Sequence, residues 1–347
     1  MEVRDGERLV ARVPAEVENG QYVAAVTGLQ PGQTYTYRVG LRQDRTDQPS
    51  SGPWTCKTDP GPTASFSFLA FGDSGTGGWG QYRLARRMAA YRFDLVIHTG
   101  DLVYKTGAAR DYPHKFFRPY ADIIHSVPFM PVIGNHDYET ERGKPLLDTF
   151  VLPRNGPPEA DPERHYWFDF GCARFVAIDT DGEEGTLRRT VMPWLKKVFA
   201  SAQNRWRFVY CHHPAYTCCA KRGAVEGVQR TLAPAAEEAQ VDIVFSGHDH
   251  LYQRSRPIRS GKPVDDGRGT VYIISGAGGA RRYPAKPPDQ RGDLFVVAYD
   301  EDYCFTLVDV SPDGLTLQQI NTEDRAVDRW QLKGPPWSSA DRNPQTP

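Results

Sequence analysis

Five times in this 347-residue chain a short apolar run breaks off into a turn, and metal-capable side chains follow at once. The breaks read Gly72-Asp73-Ser74-Gly75, Gly100-Asp101-Leu102-Val103-Tyr104, Gly134-Asn135-His136-Asp137, Val209-Tyr210-Cys211-His212 and Gly247-His248-Asp249-His250. The runs that lead into them cover 65–71, 95–99, 129–133, 208–211 and 243–246. Helical spacing lies between several of them. Leu84, Met88 and Tyr91 recur at i, i+4, i+7, and Val191, Leu195, Val198 and Phe199 at i, i+4, i+7, i+8. Strand–helix alternation of this kind builds βαβ units, whose sheets are covered by helices. Ligands of such sheets bind in crevices outside the carboxyl ends of the strands, where all five breaks fall. Glycine is expected there because it allows the positive φ of a sharp turn.

Further strand-like runs cover 166–170, 175–179, 270–275, 294–298, 305–310 and 315–320. The fold class is therefore α/β, a two-sheet sandwich of mixed strands flanked by helices. A small all-β module precedes it. In residues 1–58, the runs 9–13, 22–26, 34–39 and 54–57 are rich in Val, Tyr and Thr and separated by turn residues. A linker without apolar residues, Asp59-Pro60-Gly61-Pro62-Thr63, follows. The catalytic domain is expected over 64–332 and a polar, poorly ordered tail over 333–347.

Composition narrows the function classes. Lys and Arg number 42 and Asp and Glu 43, for a net charge of −1, so bulk electrostatics gives no reason to expect nucleic-acid binding. No apolar run approaches the roughly 18–20 residues of a membrane span. The first residues lack the basic and apolar regions of a signal peptide. Six cysteines show no CxxC zinc spacing. Cys56, Cys172 and Cys304 are isolated and read as buried thiols, while Cys218 or Cys219 could form a disulfide with a distant partner.

The breaks contribute Asp73, Asp101, Tyr104, Asn135, His212, His248 and His250, too many donors for one ion and enough for two. Asp and Tyr oxygens suit a hard trivalent ion, and imidazoles with an amide oxygen suit a divalent one. Two ions roughly 3.5–4 Å apart can hold a hydroxide and clamp an in-line displacement at phosphorus. Taken singly each motif is weak. His98, His114, His125 and His165 read as structural, and His213 as a packing residue.

All five motifs in this order resemble the calcineurin-like metallophosphoesterases. The Tyr that ends Gly100-Asp101-Leu102-Val103-Tyr104 resembles the purple acid phosphatases. The resemblance covers about 64–322. It implies Fe(III) on Asp73, Tyr104 and His250, a divalent ion (Fe(II), Zn or Mn) on Asn135, His212 and His248, and Asp101 as the bridge. A phenolate on Fe(III) would make the protein pink to purple. The implied reaction is hydrolysis of phosphate monoesters, with the catalytic roles on Asp101 and His136. His136 would contact phosphate and protonate the leaving group, and Asn135 would also touch substrate. Asp137 would orient a neighbouring His. Plant members carry histidines nine or ten residues after the position of His212, where this chain has Lys221 and Arg222, two cations able to hold a phosphate. Secretion or a periplasmic location is also implied, while the absent leader leaves the cytoplasm open.

The segment Leu29-Gln30-Pro31-Gly32-Gln33-Thr34-Tyr35-Thr36-Tyr37-Arg38-Val39 resembles the tyrosine-corner region of fibronectin type III domains. The alternatives are a phosphodiesterase or nucleotidase on the same scaffold, and a non-catalytic phosphate- or partner-binding protein. Gly276-Ala277-Gly278-Gly279, with Arg281, Arg282 and Lys286 after it, is expected to border the metal site.

Overall fold

The computed structural model describes residues 1–40, 42–43, 46–47, 51–161, 163–202, 206–265 and 267–337. The expected polar tail lies outside the described residues from 338 onward. Two mixed sheets dominate. The first runs Phe129–Pro131, Leu95–His98, Phe66–Phe71, Cys304–Ser311, Gly314–Asn321 and Ala326–Leu332. Its first three strands are parallel and the others antiparallel. The second runs Tyr166–Phe170, Ala173–Ile178, Trp206–Cys211, Ile243–Ser246, Val271–Ser275, Tyr252–Ser255 and Phe295–Tyr299, with a parallel centre.

Aromatic side chains weld the sheets face to face. Phe68 meets Phe175 edge-on at 5.2 Å and Phe245 at 5.7 Å, the geometry the ring quadrupoles favour. Helices cover the outer faces. Trp79–Met88 buries Leu84 and Met88, and Met192–Ala200 and Glu226–Glu238 bury a second cluster that includes Leu195, Phe199 and Leu232. The two-sheet sandwich expected from the sequence is the fold observed. Polar bonds hold the sheets in register at one end. Ser275 Oγ donates to the Ala70 carbonyl (2.9 Å) and the Gly72 amide to the Ser275 carbonyl (2.9 Å).

Several elements differ from the sequence reading. The first helix stops at Met88, so Tyr91 packs on the core from beyond it. Val191 belongs to a π-helical turn, Leu187–Val191, that leads into its helix. Helix Glu226–Glu238 is new; its buried face is largely alanine and Pro234 lies inside it, which blurs the apolar period. Strand Tyr252–Ser255 is also new. All four of its residues are buried, yet all four are polar at the tip or throughout, so it shows no alternation. Its Arg254 donates to Asp328 at 2.7 and 3.1 Å, and Tyr252 donates to the same carboxylate at 2.7 Å. Asp328 sits on another unforeseen strand, Ala326–Leu332.

The N-terminal segment forms one antiparallel sheet in the order Arg8–Arg12, Glu2–Asp5, Thr34–Val39, Ser51–Lys57, with a separate hairpin of Glu16–Glu18 and Gln21–Val23. Buried Tyr35 accepts the Gln30 amide on its hydroxyl at 2.9 Å, tying a loop back to a strand as a corner tyrosine does. The sheet rests on the larger domain. Trp54 stacks on His125 at 4.5 Å and 2°, and Tyr37 donates to the His125 carbonyl at 2.6 Å. Among the described residues no helix is long and apolar enough to cross a membrane. All six cysteines are free thiols, so the pairing considered for Cys218 or Cys219 is absent here.

Candidate metal centre

Where the parallel strands of both sheets end, the five breaks converge. His212 donates from Nδ1 to the Thr99 carbonyl (2.8 Å), and the Gly247 amide donates to the His212 carbonyl (3.0 Å). The turns work differently from expectation. Gly100 does have positive φ, at 93°, but three non-glycine residues of these breaks, Asp73, Asp101 and His248, take it too, at 58°, 56° and 67°. Gly134 and Gly247 are needed for space. A Cβ on Gly134 would lie 2.3 Å from Asp101 Oδ1, and one on Gly247 2.5 Å from Asp73 Oδ2.

Two groups of donors result. In the first, Tyr104 Oη lies 3.3 Å from Asp73 Oδ1 and 3.1 Å from His250 Nε2. His250 Nε2 is 3.4 Å from Asp73 Oδ1, and all three side chains are buried. In the second, Asn135 Oδ1 is 3.1 Å from His212 Nε2 and 3.0 Å from His248 Nδ1, and those two nitrogens are 3.2 Å apart. Asp101 lies between the groups, with Oδ2 3.6 Å from His212 Nε2 and Oδ1 accepting the His136 amide at 2.9 Å.

The donor chemistry fits cations. A carbonyl can only accept, so the Thr99 carbonyl fixes the proton of His212 on Nδ1, and the Arg281 carbonyl (2.7 Å) fixes that of His250 on Nδ1. Both Nε2 atoms are then lone pairs, that of His212 facing the Asn135 and Asp101 oxygens and that of His250 facing Asp73 Oδ1. Acceptors that face acceptors in a buried site need positive charge between them. The carboxylates also draw protons onto their neighbours. Burial and then the Asp73 and Asp101 carboxylates push the Tyr104 phenol well above its usual range. Burial opposes charge on His212, yet Asp101, Asp73 and Asp181 prevail and raise it to about 9. The structure thus brings Asp73, Asp101, Tyr104, Asn135, His212, His248 and His250 together at the strand ends.

Other placements are new. Asp137 touches no imidazole. Its carboxylate accepts the amides of Leu102 (3.0 Å), Val103 (3.1 Å) and Gly134 (3.1 Å) and so staples two metal-bearing turns together. The expected His-orienting role is thereby corrected, because a carboxylate at the start of a helical turn is captured by free amides. His213 does more than pack. Its ring is 4.4 Å from His248 and 5.0 Å from His212, and these three form a metal-capable cluster. Burial, then the charge of His212, lowers its pKa to about 3. His98 supports the first turn from below, with Nε2 2.9 Å from Ser74 Oγ.

His136 is partly exposed and sets Nδ1 on the Lys105 carbonyl at 2.6 Å, with its ring 4.6 Å from Tyr104. Arg222 reaches the ring of His248, 3.0 Å from its Nδ1, and donates to Tyr283 Oη at 3.2 Å. Exposed Lys221 sets Nζ 3.8 Å over the Tyr283 ring. Tyr283 was missed in the sequence although it stacks on His250 at 4.1 Å and 14°. No motif surrounds it; its position after the Gly276-Ala277-Gly278-Gly279 turn was the available signal.

Comparison with known proteins places this geometry. Residues 66–252 match the calcineurin-like phosphoesterases. An uncharacterised protein of Mycobacterium tuberculosis is 27% identical over 320 residues, covering 75% of this chain and 58% of that protein. A protein of Arabidopsis thaliana named probable inactive purple acid phosphatase 27 is 24% identical, covering 75% and 49%. The chain thus spans about half the length of these curated relatives. A purple acid phosphatase structure from yellow lupin (Lupinus luteus) seeds shares the fold, with TM-score 0.83 at 20% identity over 96% of this chain and 68% of that one. With more than half of its length matched, the chain belongs to the calcineurin-like phosphoesterases.

Proposed function

We propose that this protein hydrolyses phosphate monoesters at a dinuclear Fe(III)–M(II) centre of the purple acid phosphatase type. The observation that carries the reading is the approach of Tyr104 Oη to both Asp73 and His250 inside a buried, carboxylate-rich pocket. Asp73, Tyr104 and His250 would hold the ferric ion. Asn135, His212 and His248 would hold the divalent ion (Fe(II), Zn or Mn), with Asp101 shared. When bound, such a pair supplies a water acidic enough to ionise near neutral pH and neutralises charge on the phosphoryl group.

The protein's own part is positioning and proton traffic. Arg222 and Lys221 place cations beside His248 and Tyr283, where phosphoryl oxygens can be held. With Nδ1 of His136 donating to the Lys105 carbonyl, the imidazolium form of the ring has its second proton on Nε2 and can give it to the departing alcohol. The Arabidopsis relative is named inactive; the presence of all seven donors supports activity here. The module at 1–58 packs as a support in this reading, and the substrate is a small phosphate ester.

Metal analysis, the visible spectrum, and rates on one monoester and one diester test the proposal together. Iron with a second metal, a purple band and a faster monoester rate are expected. An iron-free, colourless but active protein removes the ferric assignment, and a faster diester rate replaces the substrate class.

A further inference from the structure

Beside the oxygen-rich half of the centre lies a cleft of about 560 Å³, lined by Thr76, Trp79, Gly279, Arg281, Arg282 and Tyr303 among others. Its two walls grow from the metal-bearing turns. One wall follows Asp73 by three residues, where the Thr76 amide donates to the Ser74 carbonyl at 2.7 Å. The opposite wall is tied to the same turn, because the Ala280 amide donates to the Asp73 carbonyl at 2.8 Å and the Arg281 carbonyl accepts His250 Nδ1. Both walls thus continue from the turn that carries Asp73.

The side chains in the cleft have a recognisable chemistry. Trp79 begins its helix with 69% of its surface exposed, although an indole of that size usually finds cover. Arg83 lies 4.9 Å from its ring centroid and is itself paired with Glu323. The neighbouring Gly80 exists for close approach: a Cβ there would fall 2.3 Å from the Tyr303 ring, so Tyr303 forms a fixed wall. Arg282 is committed to the Asp300 carbonyl at 2.6 Å. Arg281 is exposed, and its guanidinium has no partner among the described residues. An open indole face with an unpaired guanidinium nearby is the arrangement that stacks a base and binds a phosphate.

We propose that Trp79 and Arg281 form a leaving-group subsite that selects nucleoside diphosphates, with the base on Trp79 and the inner phosphate on Arg281. The proposal rests on the phosphatase reading for the terminal phosphate. Water adds its oxygen to the terminal phosphorus, the bond from that phosphorus to the bridging oxygen breaks, and the products are a nucleoside monophosphate and inorganic phosphate. Neither residue touches the reacting atoms; both set specificity.

The test uses the metal-loaded full chain as isolated, with ADP, phenyl phosphate and glycerol phosphate as substrates. Trp79→Ala should raise KM for ADP about ten-fold while leaving kcat and the glycerol phosphate constants in place, and Trp79→Phe should restore most of the loss. Arg281→Ala should raise KM for ADP but not for phenyl phosphate. Equal changes on ADP and glycerol phosphate would show a structural role and overturn the subsite. Calorimetric titration with ADP supplies a readout independent of turnover: weaker binding in both alanine variants supports the subsite, and unchanged binding overturns it. A protein that binds ADP through these residues but hydrolyses no ester would sink the phosphatase reading alone.

Discussion

The two donor groups of the centre are built from the same pair of sheets yet differ in chemistry. Asp73, Tyr104 and His250 bring two oxygens and one nitrogen into a buried pocket, with Tyr104 the donor that has no counterpart in the other group. Asn135, His212 and His248, with His213 close by, bring mainly imidazole nitrogen. Each group takes donors from both sheets, so neither can assemble unless the sheets close on each other. Hardness is thus divided within one crevice: mainly oxygen on the Tyr104 side, mainly nitrogen on the His248 side.

The largest expected effect is on the residue between the groups. Asp101→Asn should lower hydrolysis by roughly 10³-fold or more and reduce the metal content of both groups. Loss of one ion alone would show that the groups are independent and break the comparison. On the proposed ferric assignment, Tyr104→Phe should abolish visible absorption while some hydrolysis persists; a surviving purple band would mean another residue binds the iron. His213→Ala should weaken the divalent ion by about ten-fold, as loss of a supporting contact does, and leave iron and colour alone. An equal fall of both metals on titration with chelator would place His213 outside the nitrogen-rich group. The smallest effect is expected at Asp137→Ala, which strands three buried amides and should cost about 1–3 kcal/mol of stability, read as a lower melting temperature of the metal-free protein. An unchanged melting temperature would mean the two turns hold without their staple.

How much of this was legible in the sequence follows from physics that acts locally or does not. The donors were readable because a strand end, a tight turn and a metal-capable side chain lie next to each other in the chain. The sandwich was readable because its inner strands are apolar. What stayed hidden depends on distant partners. Arg254 and Asp328 are 74 residues apart, and each strand looks polar without the other. Tyr283 matters through the face it lays on His250, which no spacing announces. Asp137 was expected from the family resemblance to orient a neighbouring histidine, whereas in space its carboxylate accepts three amides. The role of glycine was misjudged for a related reason: crowding between turns is a tertiary property, and backbone angle is only one reason to omit a side chain.

The backbone at Asp73, Asp101 and His248 has a consequence for anyone who would make this protein more robust. A non-glycine residue held at positive φ costs on the order of 1–3 kcal/mol, so replacing any of the three by glycine would relax the chain. It would also delete a donor. Screens that reward heat resistance alone will therefore be drawn toward the residues this enzyme can least lose, and thermal tolerance and metal retention must be selected together.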